Sequence, residues 1–204
     1  MNAYDCVDAF EETVAEYAGA EYAVAVNSCT SALMLSCRYR FDQNYDRRVQ
    51  IPRFTYVGVA QAIHAAGGYC EFRDELWDGG YWLEDIGVFD GARRFRRGMY
   101  GGQLHCLSFH AYKHIPIGRG GMILVNNTDT RDALRRMRYD GRTAGVAPKE
   151  DTFSFGWHVG MTPEEAARGL MLMANAKDRY EDLPWDEYAD LSKTKWFSEP
   201  GGLT

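Results

Sequence analysis

The chain has 204 residues, 46% apolar and 25% charged, with a formal net charge of -6. That length and balance fit one soluble domain spanning residues 1–204, and the acidic excess gives no global reason to expect nucleic-acid binding. No uncharged apolar run is long enough for a membrane span. Asp5, Asp8, Glu11 and Glu12 interrupt any signal-peptide pattern at the start. Cys6, Cys29, Cys37, Cys70 and Cys106 are odd in number and never spaced as CxxC. They are expected to be reduced thiols in a cytoplasmic setting, with neither a disulfide framework nor a zinc site.

In chain order, apolar residues at Val7, Phe10, Val14 and Tyr17 predict a helix over Val7 to Ala18, with Gly19 as its stop. Tyr22 to Val26 reads as a buried strand. The cap residues Asn27-Ser28-Cys29-Thr30 then open a helix over Ser31 to Arg40. Val49 to Pro52 is a strand, Phe54 to Ala66 a helix closed by Gly67-Gly68, and Tyr69 to Phe72 a strand. Asp78-Gly79-Gly80 is a turn, and Ile86 to Phe89 is a short strand delivering Asp90. Leu104 to Phe109 and Met122 to Val125 are two more strands, followed by a helix from Thr130 to Met137 capped by Asp129 or Thr130. Arg142 to Trp157 is loop-like. Thr162-Pro163-Glu164-Glu165 opens a helix expected to run to about Arg179. From Leu183 onward, through Pro184, Trp185 and Trp196, the pattern is aperiodic.

Strands alternating with helices predict a three-layer α/β fold with a mostly parallel sheet. Such sheets gather ligands beyond the carboxyl ends of their strands. Thr30, Asp90 and Ser108 all follow strands closely, which places them in one site. Lys113 follows the strand ending in Ser108-Phe109, and the Gly-rich turn Gly118-Arg119-Gly120-Gly121 comes next. An amine held off the solvated surface is a nucleophile toward carbonyls, and its best-known use is a Schiff base with pyridoxal 5'-phosphate (PLP).

The other requirements of a PLP site have candidates. Asp90 offers a carboxylate for the pyridine nitrogen. The turn Ser28-Cys29-Thr30-Ser31 offers hydroxyls and helix N–H groups for the phosphate, and Ser108 adds a hydroxyl. Tyr56 offers a flat face for the ring. Each also has an ordinary reading: Asp90 as a turn residue, Ser28 to Ser31 as a helix cap, Tyr56 as core. Together they are more specific than any one alone. His110 and His114 stand four apart, but with no third ligand they predict no metal site.

On these motifs the chain resembles the DegT/DnrJ/EryC1/StrS family of PLP-dependent aminotransferases, from about Phe10 to Tyr180. Phe10-Glu11 to Val26 is similar to the family's opening helix and strand, and Asn27 to Leu33 to its Ser-Gly-Thr-Ala-Ala-Leu phosphate turn. Ile51 to Val57 is similar to its Pro-x-x-Thr-aromatic segment, Asp90-Gly91-Ala92-Arg93 to Asp-Ala-Ala-Gln, and Ser108 to Gly121 to its lysine motif. Arg138-Tyr139-Asp140-Gly141-Arg142 and Gly156 to Thr162 are similar to later landmarks. The resemblance implies the large domain of fold type I, with Lys113 carrying the cofactor as an internal aldimine and shuttling protons. It implies that Asp90 holds the pyridinium, and that Ser28, Cys29, Thr30, Ser31, Tyr56, Arg93, Ser108 and His158 contact the cofactor. It also implies an amino donor, a phosphate-bearing keto acceptor such as a nucleotide-linked sugar, and a homodimer with shared active sites.

The departures are specific. Cys29 stands where the family has Gly, Arg93 where it has Gln or His, and His158 where it has an Asn. The stretch between Asp74 and Asp90 is short by at least one strand-helix unit, and the C-terminal small domain has no counterpart. Arginines cluster at Arg93 to Arg97 and at Arg135, Arg136, Arg138 and Arg142. They are either solvated faces or anion sites, with Arg93, Arg142 and His114 as candidate substrate contacts. Two alternatives share the same residues. One is another Cα chemistry, such as decarboxylation, on a modified nucleotide or DNA base. The other is a non-catalytic PLP- or ligand-binding remnant.

Overall fold

A computed structural model of the chain describes residues 3–183 and 188–197, the side chain of Trp196 excepted. The expectations for Pro184 and Trp185 lie outside the described residues. Helix α1 (Asp5–Ala18) ends at Gly19, whose left-handed φ of 78° is available to glycine at no steric cost. It leads into β1 (Tyr22–Val26) and α2 (Cys29–Asp42), where Ser28 accepts the Ser31 N–H as the N-cap. β2 (Arg48–Pro52), α3 (Val57–Ala65) and β3 (Tyr69–Arg73) form a parallel unit. β4 (Tyr81–Leu83), β5 (Val88–Asp90), β6 (Leu104–Ser108) and β7 (Gly121–Val125) follow, then α4 (Thr128–Met137) and α5 (Pro163–Met173).

Four element readings are corrected. α3 starts at Val57 because residues 53–56 are extended: Trp77 Nε1 donates to the Phe54 carbonyl, and Phe54 bridges Asp190. Asn127, not Asp129 or Thr130, caps α4, its Oδ1 accepting the Thr130 N–H at 2.8 Å. α5 stops at Met173, well before Arg179. Tyr17 takes the Lys177 carbonyl, and Arg97 N–H donates to the Asp178 carbonyl, which draws this stretch into extended pairing with residues 96–97. β4, between the Asp78-Gly79-Gly80 turn and β5, is a strand that the sequence pattern does not predict.

The main sheet has the order β1-β7-β6-β5-β4, with β2-β3 as a second sheet. The expectation of a mostly parallel sheet is corrected for this main sheet: β1–β7, β6–β7 and β4–β5 are antiparallel, and β5–β6 is parallel. Connection length explains this. A tight turn joins β4 to β5, with Asp85 and Gly87 at φ 70° and 61°, and a hairpin connection can only reverse the chain. The Gln50–Glu84 bridge links β2 to β4, so the two sheets run on into each other.

Helices cover both faces. α2, α3 and α4 pack on one core with Leu35, Ile63, Leu134 and Ile123. α1 and α5 pack on the other with Phe10, Phe109, Ala166 and Met122. This is the three-layer α/β arrangement expected from the sequence.

His105 on β6 is a weak point of the second face. It is 3% exposed among the rings of Trp82, Phe89 and Tyr100, and neither ring nitrogen has a hydrogen-bond partner among the described residues. Burial, aided by Arg94, lowers its pKa from 6.5 to about 4. The unfolded chain therefore takes up this proton at a higher pH than the folded one. Stability is full above pH 6.5 and falls as the pH drops toward 4, by roughly 3 kcal/mol from this residue. His105→Leu is expected to flatten that part of the pH–stability curve in urea unfolding; an unchanged slope would refute the assignment.

Candidate active site

β1, β5 and β6 run in one direction, because β7 is antiparallel to both β1 and β6. Their carboxyl ends therefore share one edge, where ligands collect in α/β sheets. A cavity of about 720 Å³ opens there. Its walls include Ser28, Cys29 and Thr30 after β1, Asp90 at the end of β5, and Ser108 and Lys113 at and after β6. Tyr56 and Arg93 also line it.

Local structure fixes each of these. The loop from Phe109 to Gly120 folds back on itself: Phe109 N–H donates to the Gly120 carbonyl, and Ala111 N–H to the Gly118 carbonyl. Phe109, Ile115 and Ile117 anchor it in the core, so Lys113 is presented from a tethered loop and is half-buried. At Gly121 an added Cβ would lie 2.4 Å from the Ser28 carbonyl carbon, so glycine lets the start of β7 abut the start of α2. The N–H groups of Cys29 and Thr30 belong to the first turn of α2, where donors lack intrahelical acceptors.

Asp90 is 7% exposed. Desolvation pushes its carboxyl pKa up, and the Ala92 N–H, Lys113, Tyr81 and Arg93 act in the opposite direction. Its Oδ1 accepts the Ala92 N–H at 3.0 Å. Below it, Tyr81 and Thr55 share a hydroxyl hydrogen bond of 2.6 Å. Burial also pushes the Cys29 thiol well up, with Asp90 and Cys106 adding to the shift and Lys113 opposing it.

Four sequence candidates do not line the cavity. Ser31 points its hydroxyl to Asn27 Oδ1 at 2.7 Å, bracing the turn from behind. His158 is exposed and pairs with Asp140 at 2.9 Å. His114 packs on Phe95 and Tyr180, its Nε2 2.9 Å from the Glu181 carbonyl oxygen. Arg142 stacks over the Tyr139 ring. The basic clusters are also largely committed internally. Arg94 and Arg96 both pair with Asp182, Arg97 pairs with Asp178, and Arg135 and Arg138 pair with the buried Glu11.

Sequence reasoning missed several wall residues. Arg119 lies within the Gly-rich turn, Trp77 directly precedes Asp78-Gly79-Gly80, and Tyr188 comes from the aperiodic tail. Only Arg119 carried a usable signal, its place in the lysine motif.

The donor set fits PLP part by part. An amine suits its aldehyde and a buried carboxylate its pyridine nitrogen. A helix N-terminus with hydroxyls suits its phosphate, and a tyrosine face its ring.

The chain belongs to the DegT/DnrJ/EryC1/StrS aminotransferase family, whose model matches residues 1–75 and 93–182. The interruption covers β4, β5 and Asp90, so Asp90 rests on its own geometry here. Among solved structures, PseC of Helicobacter pylori, an aminotransferase involved in pseudaminic acid biosynthesis, superposes with a TM-score of 0.68 at 19% identity, over 82% of this chain and 57% of that one. A DegT/DnrJ/EryC1/StrS aminotransferase from Brucella abortus gives 0.70 at 19% identity, over 85% and 59%. The sugar aminotransferase CalS13 of Micromonospora echinospora gives 0.70 at 18% identity, over 84% and 60%. The chain thus spans under two thirds of the length of these structures. No curated protein sequence matches it. Among the described residues no helix is long and apolar enough to cross a membrane, and no cluster suited to a metal is present.

Proposed function

We propose that this chain is a PLP-dependent aminotransferase that passes an amino group from a small amino donor to a phosphate-bearing keto acceptor, such as a nucleotide-linked sugar. The observation that carries this reading is the meeting of Lys113 and the buried Asp90 in one cavity at the head of α2. PLP, when bound, supplies the electron sink that makes a Cα–H bond of the amino donor acidic. Lys113 Nζ would hold the cofactor's aldehyde carbon and would be the base within reach of that proton. Asp90 would hold the pyridine nitrogen, a cationic N–H that would offset the cost of burying the carboxylate. Thr30, Ser28, Ser108 and the first-turn N–H groups hold the phosphate, while Cys29 lines that cup and Tyr56 covers the ring. Arg93 and Arg119 supply positive charge on the cavity wall for an anionic acceptor.

Tyr56, Val57 and Tyr112 are exposed near this site and offer apolar surface to a second copy, which supports a homodimer. The five cysteines are all free, consistent with a reducing cytoplasmic setting. Action on DNA loses support, because the arginines that suggested it are paired within the fold.

The test is the visible spectrum of the purified protein with added PLP, beside Lys113→Ala. The expected result is a yellow band on the unmodified chain alone, which borohydride makes permanent. The same band on Lys113→Ala, or none on either protein, would overturn the assignment.

A further inference from the structure

The cavity has a wall built from outside the segments that match the family. Tyr188 lies beyond the matched residues, which end at 182, and Trp77 lies in the gap between 75 and 93. Both line the cavity. Their rings stack, with centroids 6.2 Å apart and planes 17° from parallel. Arg93 Nε donates to the Tyr188 hydroxyl at 3.1 Å, and its guanidinium lies 5.6 Å over the same ring. Just past Tyr188 the chain is held firmly. Asp190 pairs with Arg53 and bridges Phe54, Leu191 N–H donates to the Arg53 carbonyl, and Leu191 and Phe197 are buried. Tyr188 is therefore a large, flat side chain on an anchored segment, fastened on the cavity side by an arginine and a tryptophan.

We infer that Tyr188 is a specificity-determining residue that sets the size of the molecule admitted to the Lys113 cavity. The inference rests on the reading of this cavity as the active site. At rest the wall is held by a hydrogen bond, a ring stack and a cation–π contact. Truncating the side chain removes the wall and leaves the Asp190–Leu191 anchor in place.

Cys29 lines the cavity and provides a reporter that needs no cofactor, read at alkaline pH with both reagents in large excess because burial holds its thiol above the ordinary range. Cys37, Cys70 and Cys106 are buried, and Cys6 is removed by Cys6→Ser. In that background we would measure the alkylation rate with iodoacetamide, which is small, and the disulfide-exchange rate with DTNB, which is bulky. In the exchange the Cys29 thiolate attacks the reagent disulfide, forms a mixed disulfide and releases one coloured aromatic thiolate. Cys29→Ser identifies the reacting thiol by abolishing both signals.

Tyr188→Ala is expected to speed DTNB about tenfold and iodoacetamide less than twofold, the difference that a merely loosened fold would not produce. Tyr188→Phe keeps the ring and should keep the discrimination. A DTNB rate unchanged within twofold in Tyr188→Ala, or equal acceleration of both reagents, would overturn the inference. PLP added to the unmodified wall should protect Cys29. If protection fails while the size effect holds, the cofactor reading falls and the wall stands.

Discussion

Asp90→Asn is expected to raise the stability of the cofactor-free chain at neutral pH while removing most of its activity. The buried carboxyl has a pKa above its ordinary 3.8, so the fold favours its protonated form. The sign follows directly. Stability contributed by this residue is full below pH 3.8 and is lost as the pH rises through the higher folded value. Asparagine keeps the shape and cannot ionise, so its advantage should be clear at pH 7 and vanish toward pH 4. Thermal melts of both proteins across that range would show it. On the proposed reading Asp90 would hold the pyridine nitrogen of bound PLP, so turnover of the same variant should fall by at least ~10²-fold, the scale of a lost acid–base partner. A variant that is both less stable at pH 7 and fully active would refute the role of Asp90. The opposed effects are what a site selected for chemistry at the expense of stability should show.

Glu11 makes the opposite case. It is 2% exposed in α1, and its carboxylate accepts the Ala25 N–H of β1 at 2.7 Å. It also pairs with Arg135 of α4 and with Arg138 just past it. Arg138 in turn donates to the Ala25 carbonyl at 2.6 Å. Three elements thus meet on one carboxylate. Glu11→Ala is expected to cost about 3 kcal/mol, because it takes the carboxylate from Arg138, whose side chain is 15% exposed, while Arg135 keeps its pairing with Asp8. Urea unfolding of the cofactor-free chain measures this. A loss below about 1 kcal/mol would show that water takes over the arginines.

These two carboxylates show where sequence reading works. Asp90 was legible because it follows a short apolar strand and precedes Gly91-Ala92, a pattern local in the chain. Lys113 was legible for the same reason, since strand, lysine and Gly-rich turn are consecutive. Glu11 was not, since nothing near it in sequence foretells that Arg135 and Arg138 fold against it. The same long-range pairing misled the reading of the basic clusters: Arg94 and Arg96 meet Asp182, more than eighty residues away. His158 is a candidate by motif similarity and Arg142 by its place in an arginine cluster, and in this chain they face Asp140 and Tyr139. Helix starts with a capping side chain were found to within a few residues. The end of α5 was missed because a tertiary contact, Tyr17 to the Lys177 carbonyl, competes with helical periodicity that continues in sequence.

The hairpin between β4 and β5 also bears on how the chain folds. A strand pair closed by so short a turn brings few residues together across little sequence, so its loop-closure cost is small. Such hairpins form in about 1–10 μs, well before pairings that must wait for a long crossover. β5 then offers its other edge to β6 in parallel register, Asp90 beside Cys106. The strand that ends in the buried carboxylate is thereby among the earliest parts of the sheet able to form, and the later strands add to a template already bearing Asp90.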